Sequence, residues 1–232
     1  MKGAQLALPV QLSQAPVFDN FFAGPNSELV ASLHAMSTGQ GLPATWLYGA
    51  AASGKTHLLR AVVAMAGARA LYAMKPYEAS ALEDWKDARL LALDDADALA
   101  GDADSAIALL RLVDHRRQHR LPLLLAAGVP PARLVDPLPD LRTRLEAMAL
   151  LGLKPLREDD RRELLRLHAT QRGLALAEEV VAWLLARLRR DAGTLIAALD
   201  QIDRACLSAK RRPTLPFVQQ VLMPLLQPSL LP

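Results

Sequence analysis

The fold is decided by the stretch TWLYGAAASGKTHLL, which spans residues 45–59. Its apolar start predicts a short buried strand, and residues 55–66 predict a helix. Between the two, residues 49–56 fit the pattern G-x4-G-K-[ST]. After a strand and at the start of a helix, this pattern is typical of a phosphate-binding loop. An ordinary glycine turn between strand and helix is the alternative interpretation.

The physical chemistry of this loop suits a nucleotide. Glycines let the backbone turn tightly, so that its N–H groups point inward at an anion, and the helix N-terminus adds partial positive charge. We expect Lys55 to reach the β- and γ-phosphates and Thr56 to hold Mg²⁺. The candidate nucleotide-binding residues of this segment are Gly49, Ser53, Gly54, Lys55, Thr56 and His57.

A second acidic element supports the same site. The apolar run at 90–93 ends in Asp94 and Asp95. A carboxylate after such a strand lies at the carboxyl edge of the sheet, beside the phosphate loop, where Asp94 is predicted to bind the magnesium shell. Asp95 is predicted to orient water beside the nucleotide. The alternative is an acidic helix cap or turn.

Strand and helix patterns alternate as far as about residue 154. We predict strands at 45–48, 69–74, 89–93, 121–127 and 147–151, which favours a parallel sheet with right-handed crossovers. Only helical patterns follow, at 158–172, 177–190, 194–209 and 214–222. The predicted fold class is α/β, a phosphate-loop parallel sheet with helices on both faces followed by a small all-α lid. The predicted organisation is an extended segment at 1–25, a nucleotide-binding domain at 26–154, the lid at 155–222 and an apolar, proline-rich tail at 223–232.

Composition excludes several classes of protein. With 52% hydrophobic and 22% charged residues, the chain is not intrinsically disordered. A formal charge of +3 on 232 residues is too balanced to indicate nucleic-acid binding by charge alone. The single cysteine, Cys206, excludes an intramolecular disulfide and a cysteine-cluster metal site. We find no targeting or membrane segment, so we expect a cytoplasmic protein with no membrane partner.

The combination of phosphate loop, strand ending in two aspartates and helical lid resembles the AAA+ ATPases. Residues 54–59 (GKTHLL) and 128–131 (GVPP) resemble the replication initiator DnaA and its paralogues. Three further strings are most similar to the Hda family, the regulatory inactivators of DnaA: residues 138–145, 199–205 and 213–218. The likeness extends over about residues 5–222. It implies an AAA+ fold that binds ADP or ATP with Mg²⁺.

The N-terminus carries a second specific resemblance. Residues 5–10, QLALPV, resemble the short sliding-clamp-binding peptide that Hda proteins carry at this place. In such a peptide a glutamine amide makes hydrogen bonds, and apolar side chains fill a pocket. The clamp-binding candidates are Gln5, Leu6, Leu8, Pro9 and Val10. Residues 11–13 are a poorer copy, and an ordinary mobile N-terminus is the alternative.

Arg144 stands where the resemblance puts an arginine finger. An arginine supplied to a neighbour's bound nucleotide stabilises transition-state charge and raises the rate of hydrolysis about 10³–10⁵-fold. Arg144 is therefore the one candidate catalytic residue, acting in trans. The alternative is a surface arginine paired with Asp140 or Glu146.

Two positions depart from the family pattern. Gly128 stands where relatives have the polar sensor 1 residue, and Gly193 stands where a sensor 2 arginine is expected. Arg189 or Arg190 could substitute for the latter from one turn earlier, but their spacing is wrong. Both losses weaken hydrolysis of the protein's own nucleotide, so we expect a nucleotide binder, holding ADP, that hydrolyses slowly or not at all.

Together the resemblance implies a negative regulator of replication initiation. We expect it to bind the DNA-loaded sliding clamp (the polymerase β subunit), to meet DNA mainly through that clamp, and to stimulate hydrolysis of the ATP bound to DnaA. No DNA-reading domain is expected after the lid. The sequence leaves a homo-oligomer open. The alternatives are an autonomous AAA+ ATPase or loader, and a nucleotide-binding adaptor that does not stimulate hydrolysis.

Overall fold

A five-stranded parallel sheet organises the first part of the molecule, with strand order β2-β3-β4-β1-β5. The computed structural model describes residues 15–74, 78–135 and 138–226, the last three of these through their backbone alone. The predicted parallel sheet is confirmed. The strands are β1 (Ala44–Tyr48), β2 (Ala70–Ala73), β3 (Leu90–Leu93), β4 (Leu123–Ala127) and β5 (Ala149–Gly152).

Helices cover both faces of the sheet and then form the lid. Those of the α/β part are α1 (Ser27–Ser37), α2 (Lys55–Ala66), α3 (Ala81–Trp85), α4 (Ala96–Ala100), α5 (Ala103–Gln118) and α6 (Pro139–Glu146). Those of the lid are α7 (Glu158–Gln171), α8 (Glu178–Arg187), α9 (Ala192–Ala209) and α10 (Leu215–Leu226). The short helices α3 and α4 were not predicted, because five residues are too few to show a helical period.

Some boundaries differ from the predictions for local reasons. The segment before α1 was expected to be extended, but it contains 3₁₀ turns at Phe18–Asn20 and Gly24–Asn26. Helix α8 ends at Arg187 instead of residue 190, because Asp191 caps α9 by accepting a hydrogen bond from the Thr194 N–H at 2.8 Å. Helix α10 continues to Leu226, four residues beyond the end predicted for the lid.

The sheet separates two hydrophobic clusters, because successive side chains of a strand point to opposite faces. Trp46, Leu91 and Leu125 face the cluster formed with α4, α5 and α6. Leu47 and Leu124 face the cluster formed with α1 and α2. All five are fully buried. Because the strands are parallel, the carboxyl ends of β1, β3 and β4 lie along one edge, where the phosphate loop and the acidic strand end lie together.

The lid has a hydrophobic cluster of its own. Leu165, Leu184, Leu199 and Val218, one from each lid helix, are fully buried in it. Phe22, from the segment before α1, packs against this cluster. Within the described ranges, no helix is both long enough and apolar enough to cross a membrane.

Candidate nucleotide site

The phosphate loop joins β1 to α2. At its start the Gly49 N–H donates to the Ala127 carbonyl of β4 at 3.3 Å, which ties the loop to the sheet edge. At its end Gly54 has a φ of +103°, a conformation that favours glycine. A Cβ atom at Gly54 would lie 2.7 Å from the ring of Phe21. Both the backbone angle and the contact therefore require glycine at this position.

The loop also presents polar groups suited to an anion. The Lys55 ammonium donates to the carbonyls of Gly49 at 2.8 Å and Ala50 at 3.0 Å. The Ser53 hydroxyl is buried and makes no hydrogen bond. A buried hydroxyl without a partner is costly unless a ligand completes its bonding. With the N-terminal turn of α2 beside them, these donors fit a phosphate group.

Asp94 lies directly behind Thr56. The Thr56 hydroxyl donates to Asp94 Oδ2 at 2.6 Å, and the Tyr72 hydroxyl donates to the same oxygen at 3.3 Å. Asp94 is only 2% exposed. A carboxylate beside a threonine hydroxyl is a donor set that suits Mg²⁺ bound with a nucleotide. Burial raises the pKa of Tyr72, so its hydroxyl keeps its proton and remains a donor.

A cavity of about 740 Å³ opens above the loop, between the α/β part and the lid. Its volume suits a nucleotide. Of the nucleotide-binding candidates, Ser53, Gly54, Lys55, Thr56 and His57 line it. Gly49, Asp94 and Asp95 do not line it. Gly49 lies at the base of the loop, Asp94 is buried behind Thr56, and Asp95 is exposed with a left-handed φ of +53°.

The cavity also has walls that sequence reasoning missed. From the segment before α1 come Asn20, Phe21, Phe22 and Asn26, and from the lid come Leu164, His168, Ile196, Ala197 and Asp200. The side chain of Asn26 donates to the Lys154 carbonyl at 3.0 Å and accepts from the Lys154 N–H at 2.7 Å. This pair ties the segment before α1 to the chain that leads into the lid. No motif marks these residues, because they converge from distant parts of the chain.

His57 connects the same segment to the phosphate loop. Its Nε2 atom lies 2.9 Å from the Val17 carbonyl, and its ring lies 5.4 Å from the ring of Phe21. Burial lowers the pKa of His57. The imidazole is therefore neutral, and its Nε2–H donates to the Val17 carbonyl. His57, which comes directly after the phosphate-loop motif in the sequence, thus also holds the segment before α1 against the cavity.

A second buried histidine belongs to the lid wall. Arg172 donates to Asp200 Oδ1 from two nitrogens, at 2.9 and 2.6 Å, and its Nη1 lies 3.4 Å from His168 Nδ1. Arginine can only donate, so His168 Nδ1 accepts and the ring proton resides on Nε2. Burial, helped by the charge of Arg172, lowers the pKa of His168 to about 4. The lid wall is therefore neutral at this histidine at pH 7.

The two predicted sensor positions lie close to the loop but bring no side chain to it. The Gly128 N–H donates to Asp97 Oδ2 at 2.9 Å. A Cβ atom at Gly193 would lie 3.4 Å from the Cβ of Ala52, so α9 begins directly over the phosphate loop. Arg189 lines the cavity but is 86% exposed and lies 3.6 Å from Asp191.

Arg144 lies apart from this cavity. It is in the last turn of α6, its side chain is 40% exposed, and it does not line the nucleotide cleft. Its Nε donates to Asp114 Oδ1 of α5 at 2.7 Å. The alternative pairing with Asp140 or Glu146 is wrong, because the partner comes from another helix. The clamp-peptide candidates at residues 5–10 lie outside the described residues.

Comparison with known proteins agrees with this geometry. Residues 158–222 match the model of the Hda lid domain. The structure is similar to domain III of the Thermotoga maritima replication initiation protein DnaA, at 19% identity over 93% of this chain and 98% of that one, with a TM-score of 0.80. AMPPCP-bound DnaA from Aquifex aeolicus matches at 23% identity over 83% of this chain and 66% of that one, with a TM-score of 0.72.

A more distant similarity is to the Thermotoga maritima RuvB Holliday junction branch migration motor, at 15% identity over 86% of this chain and 67% of that one, with a TM-score of 0.66. At these identities the solved structures establish the fold, and the family match identifies the lid. The chain therefore has the fold of the DnaA nucleotide-binding domain, and its residues 158–222 match the Hda lid domain.

Proposed function

We propose that this protein is a negative regulator of replication initiation that stimulates hydrolysis of the ATP bound to the initiator DnaA. It binds a nucleotide in its own cleft and presents Arg144 to the nucleotide of the initiator. The initiator is thereby left with ADP and stops firing the origin again. The protein acts as an activator of another molecule's ATPase.

The position of Arg144 is the observation that carries this proposal. Its side chain is 40% exposed at the end of α6 and lies outside the protein's own cleft. An arginine placed in this way cannot serve the nucleotide of its own chain. It is available to a nucleotide presented by another AAA+ protein, and the Hda lid domain makes DnaA the proposed partner.

The protein's own site supports binding more than turnover. Ser53, Lys55 and the Thr56–Asp94 pair offer the groups that hold phosphates and Mg²⁺. Gly128 and Gly193 supply no side chain to orient an attacking water or to contact a γ-phosphate. We therefore propose that the resident nucleotide is ADP and that hydrolysis by the isolated protein is slow.

Clamp docking by residues 5–10 completes the proposal. Those residues precede the segment that packs on His57 and Gly54 at the nucleotide cleft. Docking on a clamp that is loaded on DNA would bring the protein, and with it Arg144, close to initiator molecules at that DNA. The small net charge of +3 suits a protein that reaches DNA through the clamp instead of through its own phosphate contacts.

The decisive experiment reconstitutes ATP-bound initiator, clamp loaded on DNA, and this protein. We expect the initiator-bound ATP to fall faster with the protein than without it, and to fall slowly again when the clamp is omitted. An unchanged rate of ATP loss from the initiator in the complete mixture would contradict the proposal. If the isolated protein alone turned over several ATP molecules per second, the autonomous ATPase would be the better interpretation.

Clamp docking has a matched control in the same segment. Gln5→Ala with Leu8→Ala removes the hydrogen-bonding amide and one apolar anchor of the peptide. Gln11→Ala with Leu12→Ala makes the same kind of change in the poorer copy. In surface plasmon resonance on immobilised clamp, we expect the first pair to abolish binding and the second to leave it unchanged. Equal losses from both pairs would contradict the assignment of residues 5–10.

A further inference from the structure

We propose that Asp114 is the positioning residue of Arg144, fixing the guanidinium through its Nε and leaving its outer nitrogens for a partner's phosphate. This inference rests on the proposed function, because it assumes that Arg144 acts on a nucleotide bound by another molecule. It assigns a second residue to that reaction, from a different helix.

The hydrogen bond between Arg144 and Asp114 joins α6 to α5, two helices that also share a hydrophobic cluster. Arg144 Nε lies 2.7 Å from Asp114 Oδ1, and the two side chains are 40% and 47% exposed. Asp114 is one residue from Val113, which is buried in the cluster between α5 and the sheet. The Asp114 carboxylate therefore belongs to a helix, α5, that is held in place by its packing in the hydrophobic cluster.

The other end of the contact is equally well anchored. Leu141 and Leu145 flank Arg144 on α6 and are both fully buried in the same cluster. Thr143 adds a hydrogen bond from its hydroxyl to the Pro139 carbonyl at 3.0 Å. Both backbones are thus held, and the remaining freedom belongs to the long Arg144 side chain, which the bond to Asp114 restricts.

The choice of nitrogen matters for the chemistry. Arginine carries one N–H at Nε and four on its two outer nitrogens. Within the described part of the chain, the only hydrogen bond of the Arg144 side chain is the one from Nε. The four outer donors remain for a phosphate, which guanidinium groups bind through two parallel bonds. A contact through the outer nitrogens would have occupied the edge that phosphate needs.

A competing interpretation makes the opposite prediction. If Asp114 sequestered Arg144 until a partner arrived, removing the carboxylate would speed the reaction. If Asp114 positions Arg144, removing it lets the guanidinium sample many rotamers, and misplacement by about 1 Å costs up to about 100-fold in rate. Kinetics therefore distinguish positioning from sequestration by the direction of the change.

The test measures single-turnover hydrolysis of initiator-bound ATP across a range of protein concentrations. For Asp114→Ala we expect the maximal rate to fall about tenfold or more, with little change in the half-saturating concentration. Asp114→Asn keeps an oxygen acceptor for Nε–H and should recover most of the rate. The control Asp140→Ala removes a carboxylate of α6 that does not contact Arg144 and should match wild type.

An unchanged or faster Asp114→Ala variant would overturn the proposal. So would a variant that raised only the half-saturating concentration, because that is the signature of lost docking instead of lost positioning.

A second measurement separates this inference from the proposed function, because it needs no initiator. In ¹⁵N NMR of the isolated protein, the Nε–H of Arg144 should exchange with water more slowly than that of Arg187, an exposed arginine of α8. The slow exchange should persist in Asp114→Asn and disappear in Asp114→Ala. If Arg144 exchanges as fast as Arg187 in wild type, Asp114 does not hold it, whatever the initiator does.

Discussion

The two cationic residues at the centre of the proposal, Lys55 and Arg144, lie in opposite kinds of environment. Lys55 lines the cleft between the α/β part and the lid, and it donates to two carbonyls of its own loop. Arg144 lies on an exposed helix end and donates once, through Nε, to an exposed carboxylate. The first is arranged around a ligand that the chain itself encloses. The second faces outward.

This difference shows that one fold can bind a nucleotide at one place and present a cationic side chain to another molecule at a second place. The cleft keeps the phosphate loop and the hydrogen bond from Thr56 to the buried Asp94. At the two positions where the resemblance expects sensor residues, the chain has Gly128 and Gly193. Under the proposed function, the protein would hold its own nucleotide without turning it over and would direct Arg144 at the nucleotide of another molecule. The expected effects decrease from Arg144, through the lid that bounds the cleft of Lys55 and then Lys55 itself, to a histidine of the lid.

The largest effect is expected at the exposed cation. Arg144→Ala should reduce stimulation of the initiator's ATPase about 10³-fold or more, because the transition-state charge loses its partner. Affinity for ADP should not change, since Arg144 does not line the cleft. The measurements are single-turnover hydrolysis and calorimetric titration with ADP. Arg187→Ala is the matched control; if it loses as much activity, general surface charge and not an arginine finger explains the result.

The hydrophobic cluster of the lid should be the next most sensitive part. Leu165→Ala in α7 removes a fully buried side chain and should lower the free energy of unfolding by about 2–5 kcal/mol. Leu167→Ala, on the same helix but 37% exposed, should cost much less. Urea unfolding followed by circular dichroism measures both. Similar costs for the two variants would show that the lid core is not packed as described.

The enclosed cation should contribute to binding but not to stimulation in trans. Lys55→Ala should weaken ADP binding about 10- to 100-fold, the equivalent of about 1.5–3 kcal/mol for a charged hydrogen bond. Lys86→Ala, which changes a lysine paired with Glu83 on α3, should leave ADP affinity unchanged. Calorimetry distinguishes them. An unaltered dissociation constant for Lys55→Ala would mean that the phosphates bind elsewhere.

The smallest effect concerns pH and the lid histidine. The pKa of His168 is lowered to about 4 in the folded protein, against an ordinary value of 6.5. The unfolded chain therefore takes up this proton first, and folded-state stability falls as pH drops from about 6.5 towards 4. Between pH 7.5 and 5.5 we expect His168 to account for a loss of about 1 kcal/mol.

His168→Gln tests this contribution by urea unfolding at the two pH values. The variant should lose less stability than wild type over the same interval, while His57, whose pKa is also lowered by burial, remains in both proteins. An equal loss of stability in the two proteins would show that folding does not lower the pKa of His168.

The sequence predicted the elements whose signals are local. The strand, the loop and the first turn of α2 occupy one continuous stretch, and five of the eight nucleotide-binding candidates line the cleft. The helix period revealed the lid, and the structure and family comparison confirmed it. Predictions were less accurate where local signals compete, as at the end of α8, where Asp191 takes the capping role.

What the sequence by itself determined is therefore the phosphate loop, the acidic strand end and the order of sheet and lid, because hydrophobic period and glycine spacing act over a few residues. Only the tertiary structure decided which side chains meet. Arg144 pairs with Asp114 across 30 residues, Arg172 with Asp200 across 28, and Asn26 with Lys154 across 128. Such pairs depend on how helices pack on a sheet, and no local pattern records that packing.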